Sequence, residues 1–114
     1  MPQIVLPWPP KVLSPNARVH FRVKAGAVKA YRETAYWLAK ATPLAVPAEG
    51  GIALRLDFHP PDRRRRDLDN MLAAIKAGID GIAQAHGVDD ARFGFWLSRE
   101  APVKGGAVVV TVMM

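Results

Sequence analysis

The chain has 114 residues, of which 50% are hydrophobic, a length that suits one compact domain with a modest core and excludes two. It has no cysteine, which excludes disulfides, thiolate zinc sites and cysteine nucleophiles and fits a reducing cytoplasm. The formal charge of +6 and a pI near 10.2 suit a polyanionic partner, because each neutralised phosphate releases condensed counterions.

No stretch approaches 18 consecutive apolar residues, and the opening MPQIVLPWPP lacks a charged region followed by a long apolar one. Neither a membrane span nor a secretory signal is expected, and the location reads as cytoplasmic. Residues 3–6 form a short apolar run that reads as an edge strand, ended by the rigid turn Pro7-Trp8-Pro9-Pro10. Residues 11–26 mix Ser, Pro, Asn and Gly with basic residues and read as a loop or loosely ordered arm. Residues 27–41 predict a helix stopped by Pro43, with Tyr31, Ala35 and Leu38 facing the core.

In residues 52–59 the apolar Ile52, Leu54, Leu56 and Phe58 alternate with Ala53, Arg55, Asp57 and His59, the period of a half-buried strand. A second helix is expected from Asp67. Its apolar residues Leu68, Met71, Leu72, Ile75, Ile79 and Ile82 fall on one stripe, and Gly87 with Asp89-Asp90 marks the exit. Phe93, Phe95 and Leu97 suggest a third strand and residues 107–113 a fourth, joined through Lys104-Gly105-Gly106 as a hairpin-like link. The terminal Met113-Met114 reads as a strand end at a partner surface or as a frayed end. The order β-α-β-α-β-β predicts one α/β (α+β) domain with a mixed four-stranded sheet and two helices.

The segment PDRRRRDLDN, residues 61–70, carries the most chemistry. Four consecutive arginines, Arg63, Arg64, Arg65 and Arg66, repel one another, have no place in a core and are all expected to hold DNA phosphates. Asp67 and Asp69 follow directly and are close enough to share one ion. Magnesium prefers such hard oxygen ligands, and phosphodiester hydrolysis uses the ion to polarise the phosphoryl group. In the alternative reading Asp67 is a helix N-cap, Asp69 complements the helix dipole and the arginines are solvated. Residue spacing leaves both open. In the basic loop, Arg18, Arg22 and Lys24 are candidates for DNA-backbone contact, against ordinary solvation. His20 and His59 lack ligand spacing, His86 suits a helix end, and Trp8, Trp37 and Trp96 read as core or interface residues.

Taken together, LPWPP, the Asn-containing basic loop, Tyr31-Arg32, PDRRRRDLDN, the Asp89-Asp90 pair and the closing VKGG resemble the RusA Holliday-junction resolvases over nearly the whole chain. The resemblance implies a homodimeric, metal-dependent endodeoxyribonuclease that nicks four-way junctions symmetrically and needs no organic cofactor. It also implies that Asp67, Asp69 and Asp90 bind Mg2+ or Mn2+, with Asp89 less critical. One position departs from the pattern: Ala73 stands where the family commonly has lysine. Asp69, Ala73, Lys76 and Asp80 share one helical stripe, so Lys76 is expected one turn further on, either reaching the metal site as a catalytic cation or simply pairing with Asp80. The displaced lysine also keeps open a non-cleaving module that binds branched DNA.

Overall fold

A computed structural model describes residues 2–113, so the reading of Met114 lies outside the described residues. Strand β2 (Ile52–His59) organises the sheet: Ile52, Leu54, Leu56 and Phe58 are buried on one face, as their alternation requires. It pairs in parallel with β3 (Phe93–Arg99) and antiparallel with β4 (Ala107–Val112). β4 in turn pairs antiparallel with β1 (Ile4–Pro7), giving the order β1-β4-β2-β3. The sheet is therefore mixed, as expected, and β1 is an edge strand that ends at a proline.

The link before β4 is not a hairpin. Gly105 and Gly106 do turn the chain, but β4 lies on the far side of β2 from β3. Burial explains the placement. Val108, Val110 and Val112 of β4 are all buried and belong in the middle of the sheet, whereas most of β3 is exposed or half-buried, as an edge tolerates.

Helix α1 (Phe21–Ala41) begins six residues before the expected start. His20 is its cap, with extended backbone and a ring Nδ1 that accepts from the Arg22 N–H at 3.2 Å. Arg22 and Lys24 consequently lie on the helix and not in a loop, while Arg18 precedes it. Tyr31, Ala35 and Ala39 form the buried stripe; Leu38, expected there, is half-buried at its flank.

The expected second helix is two helices, which makes three in all: α2 (Leu68–Ala74) and α3 (Lys76–His86). They are separated at Ile75, whose φ of −101° and ψ of 7° interrupt the helix and whose N–H reaches the Leu72 carbonyl at 3.2 Å. The apolar stripe survives the break, since Met71, Ile75, Ile79 and Ile82 are all buried, with Leu68 and Leu72 half-buried beside them. α3 packs on α1 closely enough that a Cβ on Gly81 would overlap the Arg32 carbonyl oxygen. Gly87, at φ 64°, ends α3 in the left-handed conformation and reverses the chain. His86 accepts from the Leu44 N–H at 2.9 Å through Nε2, while its Nδ1 lies 2.8 Å from the Ile82 carbonyl, so it ties the α1–β2 connection to α3. No described helix is long and apolar enough to cross a membrane.

Candidate active site

Four of the sequence motifs meet in one place. The Tyr31 hydroxyl donates to the Pro7 carbonyl at 2.6 Å, fastening the LPWPP turn to α1. Trp8 then seats on Gly106: a Cβ there would stand 2.8 Å from the Trp8 Cβ and 3.1 Å from the Pro61 Cδ. Only glycine meets both that approach and the φ of 71°. On its other side Trp8 faces the Arg66 guanidinium, 5.5 Å from the ring centroid, a cation–π distance.

Arg66 is thereby set apart from the other three arginines. Its Nη1 donates to Asp62 Oδ1 at 2.8 Å and its side chain is only 22% exposed, whereas that of Arg64 is 75% exposed. Asp62 also accepts from the Arg64 N–H at 2.9 Å. These bonds, that from Arg66 first, hold the Asp62 carboxyl below its usual range. The arginine run is therefore a folded turn that presents Arg63, Arg64 and Arg65 to solvent, with Arg66 as its inner brace.

Asp67 stands at the N-cap position of α2, but its side chain makes no capping hydrogen bond. The capping alternative is thus correct for position and not for bonding. Asp69 lies in the first turn of α2, and both acids are exposed. Asp67 and Asn70 border a cleft of about 910 Å³ that is also lined by Arg64, Arg65 and Arg66 and by Trp8, Lys11 and Asn16.

Beyond the helix break, Lys76 bonds two acids. Its Nζ lies 2.6 Å from Asp80 Oδ1 and 2.8 Å from Asp90 Oδ2. Lys76 thus pairs with Asp80, one of its two expected partners, and also reaches Asp90, 14 residues further on. Gly87 produces the second contact by turning the chain back along α3. Asp80 and then Asp90 raise the Lys76 ammonium above the usual lysine range, and Lys76 holds the Asp90 carboxyl below its own. The two neighbouring acids divide their roles. Asp89 Oδ1 accepts from the Ala91 N–H at 2.9 Å and caps the short 3-10 turn Asp90–Arg92, while Asp90 faces Lys76. A smaller groove of about 250 Å³ is lined by Ala73, Lys76 and Asp80 together with Lys24 of α1, and Ala74 borders both this groove and the larger cleft.

The expected ligands are not gathered into one cage. Among the described residues no three His, Cys, Asp or Glu side chains stand together at metal-ligand spacing. The donor chemistry nevertheless fits a hard divalent cation at the start of α2, where Asp67 keeps its carboxylate free of capping bonds. The histidines serve structure, His20 as a cap and His59 beside the Ala101 carbonyl at 3.0 Å. Trp8 packs against the core, whereas Trp37 and Trp96 lie outside it, 67% and 64% exposed.

No family model matches the chain. It is 45% identical over 116 residues to an uncharacterized protein of Xylella fastidiosa, covering 98% of this chain and 76% of that one. It is also 33% identical over 115 residues to the crossover junction endodeoxyribonucleases RusA of Escherichia coli K12 and rusA of Enterobacteria phage 82, covering 96% of this chain and 91% of each relative. Full-length similarity at this level places the chain in the RusA family of crossover junction endodeoxyribonucleases.

Proposed function

We propose that the protein is a metal-dependent endodeoxyribonuclease that resolves Holliday junctions by symmetric nicking, in DNA recombination and repair. One observation carries the reading: an exposed carboxylate without a capping bond, Asp67, stands at the mouth of a cleft walled by arginines. The names of the RusA relatives support it.

Arg64 and Arg65, which line this cleft, would hold phosphates with Arg63 beside them in the chain, and Arg18, Arg22 and Lys24 would hold others at the start of α1. Asp67, Asp69 and Asp90 would supply oxygens to Mg2+ or Mn2+. When bound, the ion polarises the phosphoryl group and makes hydroxide available near neutral pH. Lys76, released from Asp90 and retained by Asp80, would neutralise charge developing on the phosphate or on the leaving oxygen. A homodimer carrying one such cluster per subunit matches the two-fold symmetry of a four-way junction.

The test is nicking of a synthetic four-way junction with and without Mg2+, with both cut positions mapped. Metal-dependent, symmetrically placed nicks are expected. A second reading, a non-cleaving module that binds branched DNA, is favoured by the Lys76 ammonium seated on Asp90 and by the dispersed acids. Tight junction binding without nicks under any divalent metal would select it.

A further inference from the structure

The first 32 residues carry six lysines and arginines and no acid, while the rest of the chain is balanced, so the entire net charge of +6 lies in this segment. At its centre Phe21, the first residue of α1, is 71% exposed. Its ring stacks on the His20 imidazole with 4.6 Å between centroids, and the Arg22 guanidinium lies 5.8 Å from its centre. Phe21 takes no part in the hydrophobic core. Lys24 and Val28 follow it at i+3 and i+7 on the same helical face, and both line the groove that contains Lys76 and Asp80. Phe21 thus lies on the α1 face that borders this groove, at the end of the helix where the cations collect.

We propose that Phe21 is a base-stacking residue, its ring receiving one unstacked base of branched DNA while Arg18, Arg22 and Lys24 take the adjoining phosphates. The inference rests on the function proposed above and adds how the protein recognises a branch. Two arguments choose the occupant. An aromatic ring among cations is the pairing that binds single-stranded nucleic acid, because every base offers a π face and every nucleotide a phosphate. A second copy of this chain would instead bring the same acid-free cluster against itself across the two-fold axis, where like charges repel. An intact duplex has no free base face, whereas a base at a branch point is cheaper to unstack. Phe21 therefore favours junctions over duplex.

The experiment places 2-aminopurine at the branch point of a four-way junction and follows fluorescence and affinity for the wild type, Phe21→Ala, Phe21→Trp and the neighbouring control Val23→Ala. Phe21 and Val23 are both exposed, so none of these changes threatens the fold. The wild type and Val23→Ala should bind the junction and raise the fluorescence. Phe21→Ala should lose the rise and bind junctions about tenfold more weakly while keeping its duplex affinity, and Phe21→Trp should recover both. If the wild type prefers junctions and Phe21→Ala keeps both the preference and the rise, the stacking role is overturned and the proposed function stands. Should the wild type show no preference for junctions, the proposed function falls and this inference with it. Loss of self-association in Phe21→Ala would assign the ring to a contact between copies and overturn stacking.

Discussion

The hydroxyl of Tyr31 donates to the carbonyl of Pro7 at 2.6 Å, so the middle of α1 holds the turn on which one wall of the cleft is built. Tyr31 is buried, and burial pushes its phenol well above the usual tyrosine range. The folded state keeps this proton where the unfolded chain would lose it. The group's contribution to stability is therefore intact below about pH 10, the ordinary tyrosine value, and declines as pH rises beyond that. Denaturant titrations between about pH 9 and 12 should show this alkaline loss, and Tyr31→Phe should flatten it. At neutral pH the same change should cost about 1 kcal/mol, because the Pro7 carbonyl loses its donor. An alkaline limb of unchanged slope in Tyr31→Phe would show that another group governs it.

Asp67→Asn, Asp69→Asn and Asp90→Asn should each abolish nicking while junction binding persists, since each loses an anionic ligand and neutralised acids do not hinder phosphate. Asp89→Asn should be far milder in activity, because Asp89 is engaged as a cap. Gel assays of binding and nicking on the same junction separate the two effects. Full activity in any one of the first three variants removes that residue from the site.

The four arginines should not behave alike. Replacing Arg63 and Arg64 with alanine should weaken binding to all DNA sequences and reduce the salt dependence of affinity by roughly two counterions, with little change in thermal stability. Arg66→Ala should instead lower stability by about 1 kcal/mol, as both the Asp62 bond and the Trp8 contact are lost. Thermal melts alongside salt-dependent binding isotherms distinguish an inner brace from a phosphate contact. Equal melting of all these variants would contradict the assignment.

Lys76→Ala should slow nicking by about two orders of magnitude, typical for loss of one well-placed electrostatic donor. Stability should barely change, because both of its ion pairs are substantially exposed to solvent. Ala73 and Lys76 line the same groove, so Ala73→Lys combined with Lys76→Ala should restore part of the rate. Normal nicking by Lys76→Ala would reduce the lysine to a surface partner of Asp80 and Asp90.

Local pattern made much of the architecture readable. The alternation of β2 survives intact because one face of the strand is buried, and the stripe from Met71 to Ile82 is continuous although the helix beneath it is not. The break at Ile75 left no mark in composition: Ala73, Ala74, Lys76 and Ala77 all favour helix, so tertiary packing sets it. The start of α1 is hidden in the sequence because a histidine, and not one of the usual capping residues, caps it. Strand order eluded sequence reasoning for a different reason, since the pairing of β4 with β1 and β2 is decided over long separations. In the candidate site, the position of Asp67 at the head of α2 was legible from local sequence. The Lys76–Asp90 contact was not, because it depends on a chain reversal at Gly87.

The seat of Trp8 on Gly106 has a consequence for biosynthesis. Among the described residues β1 pairs with β4 alone, and the tryptophan that follows it rests on the turn just before that strand. β1 is made long before β4 and must therefore wait for it before it finds this partner. Until then Arg66 lacks its indole and the wall of the cleft stays open. A nascent chain remains without its proposed DNA-cutting cleft until β4 has been made, and removal of either β1 or β4 would dismantle the same wall.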